Sequence, residues 1–352
     1  MIKSSYDILG VMSGTSLDGI DLAHITFEIG NNWAFEIHNA ETVPYPERWK
    51  NKLSNLVSYD LKTLRSIDED YTFYLAEVIT DFFRKYQLDK IDAICSHGHT
   101  ALHQPENNIT YQIGNLPTLS KLTRNTVVCD FRIQDVKYNG QGAPLVPIGD
   151  HLLFPEYDCC INLGGFANIS YSADQTRIAF DVCPVNIVMN LFAEKLGYNF
   201  DKGGEIARSG RINECVLNQL NSLDYYPLKP PKSLGLEWVN STILPILEDA
   251  KLSEEQVLRT FIEHIAVQIA KTFKTNSKVL FTGGGTFNDF LLERIKAQKY
   301  FELVVPSIEI IEFKEALIFG LLGVLKLRGE VNCLSSVTGA DFDHSSGVIH
   351  YA

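Results

Sequence analysis

No apolar run in the sequence is long enough to cross a membrane. The longest, 316–325, is closed by Glu315 on one side and by Lys326 on the other. Because a spanning helix needs about 20 consecutive apolar residues, this run predicts a buried helix instead. The apolar stretch at 6–12 is also too short for the hydrophobic region of a signal peptide with a cleavage site. We therefore expect no membrane partner.

The sequence also lacks any Cys-x-x-Cys pair. Its seven cysteines are scattered along the chain, and their spacing argues against a zinc site or a redox motif. Most lie in apolar stretches, where a free cysteine behaves as a small core residue. Free buried thiols fit a reducing compartment, so we expect a cytoplasmic protein.

Basic residues are in the minority and form no stripe. Lys and Arg number 31 against 43 Asp and Glu, which gives a formal net charge of -12. Nucleic acids and anionic membrane surfaces are usually bound by clustered basic residues. The acidic balance therefore argues against non-specific binding to either.

The apolar pattern alternates between strand-like and helix-like stretches. Strands are predicted at 6–12, 20–27, 33–41, 91–95, 126–129, 158–163, 168–171, 177–180 and 278–281. Helices are predicted at 61–86, from about Pro184 onward, and at 253–273, 287–297 and 312–327. The chain is thus expected to belong to the α/β class.

Both halves of the chain repeat one order of elements: a strand, a glycine turn, two more strands, then helices. This order predicts a duplicated α/β unit in two domains. The glycine-rich segment 139–144 is the expected hinge. We therefore predict one domain at 1–135 and another at 136–331, with the polar tail 332–352 packing back on the first.

Three glycine-rich turns lie far apart in the chain, each beside a predicted strand. They read Val11-Met-Ser-Gly-Thr-Ser-Leu-Asp-Gly-Ile-Asp21, Asn162-Leu-Gly-Gly-Phe-Ala-Asn168 and Phe281-Thr-Gly-Gly-Gly-Thr-Phe-Asn288. Glycine allows close approach of the backbone to a ligand, and successive N–H groups in such turns can bind anions. Together the turns suggest a nucleotide held between two halves of the molecule.

The first turn carries the hydroxyl and carboxylate groups that phosphate and Mg²⁺ chemistry needs. Its hydroxyls and N–H groups could hold phosphate oxygens, and Asp18 or Asp21 could hold Mg²⁺, directly or through water. No Gly-Lys-Ser/Thr follows, so it is not a Walker A loop. A plain hairpin turn is the alternative.

The third turn follows a strand and precedes a helix, which suits a nucleotide near a helix N-terminus, although a tight strand-to-helix turn would look the same.

Polar residues at predicted strand ends supply further candidates. Asp181 follows the strand at 177–180 and could be a general base, or it could cap the next helix. Arg132 could bind a carboxylate or phosphate, or it could pair with Asp130. His97, His99 and His103 invite a metal interpretation, but the run lacks the adjacent acidic residue of binuclear hydrolases, and hydrogen bonding or substrate contact is the commoner role.

The order of these motifs resembles the anhydro-N-acetylmuramic acid kinase family. The matching segments are Gly10-Val-Met-Ser-Gly-Thr-Ser-Leu-Asp-Gly-Ile-Asp21, Ser96-His-Gly98, Asp130-Phe-Arg132, Gly140-Gln-Gly-Ala-Pro-Leu-Val-Pro147, Asn162-Leu-Gly-Gly-Phe-Ala-Asn168 and Gly283-Gly-Gly285 with Asn288. The resemblance runs in order from about residue 8 to residue 340, and its first and fourth motifs are long and specific.

The resemblance implies two ribonuclease-H-like domains of the actin, Hsp70 and sugar-kinase type, with ATP in the cleft between them. It also implies a cytoplasmic enzyme of peptidoglycan recycling that uses ATP and Mg²⁺. Its amino-sugar substrate would be 1,6-anhydro-N-acetylmuramic acid. Water opens the anhydro ring and O6 is phosphorylated, giving N-acetylmuramic acid 6-phosphate and ADP. A homodimer is plausible on the same ground.

Site residues carry over by position. Asp181 matches the base that activates the attacking water, and His97, Arg132 and Glu315 match positions near the sugar. Asp18 and Asp21 remain the Mg²⁺ candidates. The ATP positions are Gly14, Thr15, Ser16, Leu17, Asp18, Gly19, Ile20, Asp21, Gly164, Gly165, Gly283, Gly284, Gly285 and Asn288.

The chain departs from the family pattern beside the proposed base. Where the family usually has Phe-Asp-x-Gly-Pro-Gly-Asn, this sequence has Phe180-Asp-Val-Cys-Pro-Val-Asn186, so Cys183 and Val185 replace two glycines. Both residues add a Cβ and disfavour a positive φ, which predicts a reshaped loop. His99 also replaces a usual glutamine, and Asn139 replaces a glycine. The altered loop beside Asp181 and His99 motivate one alternative, a kinase of another anhydro- or amino-sugar. Two further alternatives stay open: a non-catalytic sugar or nucleotide sensor on the same fold, and a metal-dependent hydrolase that uses the histidine run from His97 to His103.

Overall fold

The computed structural model describes residues 3–14, 17–174 and 176–352. They form two compact units, one made of residues 1–154 with 313–352 and the other of residues 155–312. Thr15 and Ser16 of the predicted ATP loop lie outside the described residues. In the part of the chain that is described, no helix is long and apolar enough to span a membrane.

The first unit contains two strand-rich stretches and the C-terminal part of the chain. Its elements are β1 (Ser5–Ser13), β2 (Gly19–Ile29), β3 (Trp33–Pro44), α1 (Glu47–Ser54), α2 (Leu61–Tyr86), β4 (Ala93–Gln104), β5 (Ile109–Ile113), α3 (Thr118–Thr123), β6 (Val127–Cys129), α4 (Ile133–Lys137) and α5 (Pro147–Leu153).

The second unit follows without interruption. Its elements are β7 (Cys159–Leu163), β8 (Phe166–Ala173), β9 (Thr176–Pro184), α6 (Asn186–Lys195), α7 (Glu205–Ser209), α8 (Glu214–Asn221), α9 (Leu236–Trp238), α10 (Leu244–Asp249), α11 (Glu254–Ala270), β10 (Lys278–Thr282), α12 (Asp289–Gln298) and β11 (Glu302–Val304). The chain then forms α13 (Ile308–Arg328), which belongs to the first unit from residue 313 on, and ends with α14 (Ser335–Thr338) and β12 (Val348–His350).

The two sheets share one topology. In the first, β1, β2 and β3 are antiparallel neighbours, while β4 runs parallel to β1 and β6 parallel to β4. In the second, β7, β8 and β9 are antiparallel neighbours, while β10 runs parallel to β7 and β11 parallel to β10. This is the ribonuclease-H-like order, so the predicted duplicated α/β unit is confirmed.

The first sheet carries a helix on each face. Leu9 and Val11 of β1 belong to the same apolar core as α2, whereas a Cβ on Gly10 would lie 2.1 Å from the Ala316 carbonyl oxygen of α13. Since successive strand residues point to opposite faces, α2 and α13 cover opposite sides of β1. The predicted buried helix around 316–325 is confirmed, and its backbone rests directly on the sheet.

Helices α2 and α11 confirm the apolar periodicity read from the sequence. Helix α2 starts at Asp60, whose carboxylate accepts from the Thr63 N–H at 2.8 Å, and this contact satisfies one of the donors left open at a helix start. Helix α11 starts with a capping box between Ser253 and Gln256. Its apolar residues Leu258, Ile262, Ile265 and Ile269 recur at helical spacing and are fully buried in the core of the second unit.

The limits of the units differ from the predicted domain boundaries. The chain leaves the first unit after residue 154 and returns at 313, whereas the sequence placed these transitions at 135 and 331. The glycine-rich segment 139–144 is held by Asp135, which accepts the Gly142 N–H at 2.6 Å. Helix α5 also stays with this unit, since Gly149 lies against the Ile318 side chain.

Strand β4 is longer than predicted. It continues through Gly98 to Gln104, past a register shift against β1. Gly98 takes a positive φ of 71°, and a Cβ there would lie 2.7 Å from the Ile113 carbonyl oxygen. The glycine thus lets the strand continue where a larger residue would stop it, so His97, His99 and His103 lie within a strand and not after one.

Candidate active site

The first glycine turn closes the hairpin between β1 and β2. Ser13 pairs with Ile20 across the hairpin, and the Leu17 N–H donates to the Gly14 carbonyl at 3.4 Å, with Leu17 at φ 62°. The hairpin alternative and the phosphate-binding interpretation are therefore compatible.

Around this turn, Asp18 and Asp21 differ in their surroundings. Asp18 is exposed, whereas Asp21 is half-buried on β2 and its carboxylate accepts from the Thr42 hydroxyl at 2.6 Å. Gly19 has a structural reason to be glycine, because a Cβ there would lie 2.5 Å from the Val43 carbonyl oxygen. Carboxylate oxygens are the hard ligands that Mg²⁺ prefers, so both aspartates suit the predicted metal.

A buried polar cluster lies under the first turn. The Ser13 hydroxyl is 2.7 Å from His99 Nδ1, 2.5 Å from the Tyr45 hydroxyl and 3.0 Å from the Tyr71 hydroxyl. Burial lowers the pKa of His99 to about 4 and raises the pKa of Tyr45 to about 12. All four groups are therefore neutral near pH 7. Sequence reasoning missed Tyr45 and Tyr71, because nothing in their local pattern sets them apart from core residues.

The three residues predicted near the sugar meet in the first unit. Arg132 Nε donates to His97 Nε2 at 2.9 Å, and Arg132 Nη1 donates to the Gly142 carbonyl at 2.6 Å. Because Arg132 has only N–H donors, His97 Nε2 is the acceptor and its Nδ1–H donates to the Gly98 carbonyl at 2.8 Å. Burial and the nearby Arg132 charge hold the pKa of His97 well below its usual range.

Glu315 extends this group from α13. Desolvation raises the pKa of this carboxyl group, and the positive charges of Arg132 and Lys314 oppose that shift. Phe319, one helical turn further, lies 4.6 Å from the His97 ring, centroid to centroid, and Arg132 lies over its face at 5.9 Å. A guanidinium, a neutral imidazole, a carboxylate and an aromatic face are thus assembled from β4, α4 and α13.

The alternatives weighed for the neighbouring residues are not observed. In the described chain Asp130 accepts from the Asn115 side chain at 2.9 Å and forms no ion pair with Arg132. Burial raises the pKa of Asp130 to about 6. His103 Nδ1 lies 3.1 Å from the Thr110 hydroxyl. Among the described residues, no group of three possible metal ligands includes a histidine of the 97–103 run.

In the second unit, Asp181 is held within β9 by a crossing segment. Its Oδ2 accepts from the Leu234 N–H at 2.9 Å, its backbone N–H donates to the Lys232 carbonyl at 3.2 Å, and its carbonyl accepts from the Tyr225 hydroxyl at 2.6 Å. Desolvation raises the pKa of Asp181, and the Leu234 N–H opposes that shift. The helix-capping alternative is wrong, because α6 has Val185 at its N-cap and no side-chain cap.

The segment around Lys232 was not found from the sequence. Lys232 Nζ donates to the Tyr225 and Tyr226 carbonyls at 3.2 and 3.1 Å and lies over the Tyr225 ring at 4.5 Å. These contacts fold residues 225–234 over the carboxylate of Asp181. The sequence contains little that could have identified this segment, because it contacts Asp181 mainly through backbone groups, which every residue type carries.

The two departures beside Asp181 lie where the backbone does not use a positive φ. Cys183 lies buried within β9, and Val185 takes φ -131° and ψ -101° at the N-cap of α6. These Val185 angles fall outside the extended and helical regions, so its side chain is held in an uncommon backbone conformation. A loop reshaped relative to the family stays a prediction.

The second and third glycine turns lie together in the second unit. The Gly165 carbonyl accepts from the Val185 N–H at 2.8 Å, and the Gly164 carbonyl accepts from the Asn186 N–H at 3.3 Å. Gly283 has φ 83°, and a Cβ there would lie 2.6 Å from Asn162 Oδ1 and 2.8 Å from the Leu163 carbonyl oxygen. The second turn therefore packs directly against the third.

In the third turn, Gly284 is open to a ligand, whereas Asn288 caps a helix. A Cβ on Gly284 would meet no atom within 4 Å, so its backbone faces open space. Asn288 has a structural role, since its side chain accepts from the Leu291 N–H at 2.9 Å and caps α12. Of this motif, Gly284 is the position best placed for close approach by a ligand.

Comparison with known proteins points to one family. The family model for anhydro-N-acetylmuramic acid kinase matches residues 6–352. The anhydro-N-acetylmuramic acid kinase of Hahella chejuensis is 33% identical over 97% of this chain and 98% of its own. The kinase of the same name from Mannheimia succiniciproducens is 33% identical over 99% of both chains.

Likeness to solved structures is more distant. The activator of 2-hydroxyisocaproyl-CoA dehydratase from Clostridium difficile has a TM-score of 0.46 at 14% identity, over 92% of this chain and 96% of its own. Because this TM-score is low, the family assignment rests on the sequence matches alone.

Proposed function

Because the chain belongs to the anhydro-N-acetylmuramic acid kinase family, we propose that it converts 1,6-anhydro-N-acetylmuramic acid and ATP into N-acetylmuramic acid 6-phosphate and ADP. This reaction serves peptidoglycan recycling. The observation that carries the proposal is the setting of Asp181, a half-buried carboxylate with a raised pKa that is fixed through Oδ2 by the Leu234 N–H.

Asp181 is proposed as the general base. It takes a proton from a water molecule whose oxygen attacks the anomeric carbon, and the bond between that carbon and O6 breaks. The electron pair left on O6 attacks the γ-phosphorus, and ADP leaves. A base works best when its pKa approaches the working pH, and burial moves Asp181 in that direction.

The cluster of the first unit is proposed to bind the sugar. Arg132 offers a positive charge for a carboxylate such as that of the lactyl group, and its hydrogen bonds to His97 and Gly142 fix the plane of its fork. Neutral His97 and the Phe319 ring support that fork. Glu315 supplies an acceptor for sugar hydroxyl or amide groups.

The glycine turns are proposed to bind the nucleotide. Residues 14–21 would hold phosphate oxygens, and Gly164, Gly165 and the third turn would contact the rest of ATP. Asp18 and Asp21 would hold Mg²⁺, directly or through water, and that ion would neutralise charge on the phosphates. Gly284 is the backbone position best suited to such contact, because it faces open space.

A related kinase for another anhydro- or amino-sugar is the second candidate. Its support is the Cys183 and Val185 pair beside Asp181, since both are buried next to the proposed base. Substitutions beside Asp181 can change which sugar is accepted while the general base itself is kept.

The deciding experiment is ADP release from Mg·ATP with 1,6-anhydro-N-acetylmuramic acid, compared with a panel of other anhydro- and amino-sugars. Wild type should release ADP with this sugar, and Asp181→Asn should lose about 10²- to 10⁴-fold of the turnover, the usual contribution of a general base. Asp174→Asn, in the turn after β8 of the same unit, is the matched control.

The alternatives give different results. Turnover with another sugar alone would favour the second candidate. ATP binding without turnover on any sugar would favour a sensor. Activity that persists without ATP and stops with a zinc chelator would favour a hydrolase, and an unchanged Asp181→Asn enzyme would remove Asp181 from the mechanism.

A further inference from the structure

Asp135, Cys333 and His344 form a compact buried group outside the proposed active site. The three side chains are 0%, 1% and 7% exposed, and their possible ligand atoms all lie within 4.8 Å of one another. Cys333 Sγ is 3.0 Å from Asp135 Oδ1, and His344 Nε2 is 3.7 Å from the same oxygen. All three belong to the first unit.

His344 is oriented by the backbone toward Asp135. Its Nδ1 lies 3.0 Å from the Phe342 carbonyl, which can only accept, so Nδ1 carries the proton. Nε2 is buried and has no hydrogen-bond partner. In the neutral ring it presents a lone pair to the Asp135 carboxylate, an arrangement that is favourable only when a second proton or a metal cation lies between the two atoms. A ring N–H donated to a carbonyl is also how metal-binding histidines are normally oriented.

The backbone holds the other ligands in place. Cys333 and His344 exchange two backbone hydrogen bonds of 3.1 Å, which sets their side chains next to each other. Asp135 Oδ2 is occupied by the Gly142 N–H at 2.6 Å, so Oδ1 is the oxygen turned toward the cysteine and the histidine. The ligand atoms are therefore positioned without any metal.

We propose that Asp135, Cys333 and His344 bind a structural Zn²⁺ ion. One sulfur, one imidazole nitrogen and one carboxylate oxygen are the ligand types that zinc takes. Tetrahedral zinc places such ligands about 3.3 to 3.5 Å apart, close to the observed 3.0 and 3.7 Å. On binding, the Cys333 thiol loses its proton to solvent. The Thr338 hydroxyl donates to Asp135 Oδ1 at 2.7 Å and would help to hold that ligand oxygen.

The site would tie the C-terminal segment to the loop that supports Arg132. Asp135 accepts the Gly142 N–H, and the Gly142 carbonyl accepts from Arg132. Cys333 and His344 lie beyond α13, about 200 residues further along the chain. The sequence analysis expected no zinc site because it found no Cys-x-x-Cys pair. Ligands this far apart in the chain leave no such local spacing, so that expectation does not bear on this group.

Metal content of the purified full-length protein tests the proposal. Wild type, prepared under reducing conditions and then supplied with Zn²⁺ and desalted, should retain about one zinc per chain by elemental mass spectrometry. Cys333→Ser and His344→Gln should each lose most of it. Cys215→Ser is the matched control, because Cys215 is the exposed cysteine, and it should retain the full content.

Cobalt titration of the wild type gives a second readout that depends on neither folding of a variant nor activity. Co²⁺ in the site should produce a thiolate-to-cobalt charge-transfer band, which Zn²⁺ abolishes by displacement. The proposal is overturned if wild type retains no zinc and shows no such band. It is equally overturned if folded Cys333→Ser and His344→Gln proteins retain as much zinc as Cys215→Ser.

Discussion

Arg132 donates through Nε to Nε2 of His97 at a distance of 2.9 Å. This contact fixes both groups at once, because it holds His97 in its neutral form with the proton on Nδ1 and sets the plane of the guanidinium. The same arginine also donates to the Gly142 carbonyl.

Arg132→Lys should lower kcat/KM for the sugar by about 10²-fold, the typical cost of misplacing a substrate-orienting group. Lysine keeps the charge but cannot donate to His97 and Gly142 in one plane. Steady-state kinetics check this, with Arg84→Lys as the control, since Arg84 is exposed and pairs with exposed Asp81. Equal kcat/KM in the two variants would contradict a role for the guanidinium fork.

Removing the backbone N–H that donates to Asp181 should shift the acidic limb of the pH–rate profile. Leu234→Pro deletes the donor to Oδ2, and that donor lowers the pKa of Asp181 against desolvation. The pKa should therefore rise further, so activity should disappear at a higher pH as the solution is acidified. Leu234→Ala keeps the N–H and serves as the control for loss of the side chain. Overlapping pH–rate profiles would rule out this support.

His99 should make the protein less stable as the pH falls from neutral. Its pKa is about 4 in the folded protein and 6.5 as the model value, so only the unfolded chain binds the proton between these values. The contribution is fully present above pH 6.5 and is lost down to pH 4, about 3 kcal/mol in total.

The His99→Gln variant tests this linkage, because glutamine can hydrogen-bond Ser13 but does not titrate. Urea denaturation at pH 7 and pH 5 should show a smaller loss of unfolding free energy for the variant, by about 2 kcal/mol. His99→Leu should be less stable than His99→Gln by about 1 to 3 kcal/mol at both pH values, because neither variant titrates and only leucine removes a hydrogen-bond partner of Ser13. A pH dependence identical in His99→Gln and wild type would refute the assignment.

Gly284→Ala should weaken ATP binding without affecting stability. The added Cβ meets no protein atom within 4 Å, so it can interfere only with a ligand. Isothermal titration calorimetry with ATP and a thermal melt measure the two effects. Gly30→Ala, whose Cβ would meet its nearest atom only at 3.9 Å, is the control. Unchanged ATP affinity in a folded Gly284→Ala protein would exclude this position from the nucleotide site.

The sequence predicted which helices and strands exist better than it predicted where each one begins and ends. Helices α2 and α11 follow from helical apolar periodicity, while α13 and the strands β1, β2 and β3 follow from apolar stretches of the right length, and all are confirmed. The extension of β4 past His97 was missed, because it depends on the positive φ of Gly98 and on pairing with β5. Local pattern does not reveal either of these.

In the candidate site, too, residues in distinctive local motifs were predicted, whereas residues assembled only by folding were not. Motif residues such as His97 and Arg132 could be named because they lie in distinctive local segments. Tyr45, Tyr71 and the Asp135 group could not, because their partners are distant in the chain and are brought together only by folding. The unit limits were misplaced for a related reason, since a glycine-rich stretch was taken for a linker when its glycines serve close packing.

The first unit is interrupted in the chain by the whole second unit. Strand β6 receives its edge partner β12 from residues 348–350, and β1 receives α13 from residues beyond 312. During synthesis on the ribosome, the second unit can therefore complete its fold before residues 313–350 supply the missing parts of the first unit. A product truncated before residue 348 would leave β6 with an open sheet edge, and chaperones and proteases should recognise it through that edge.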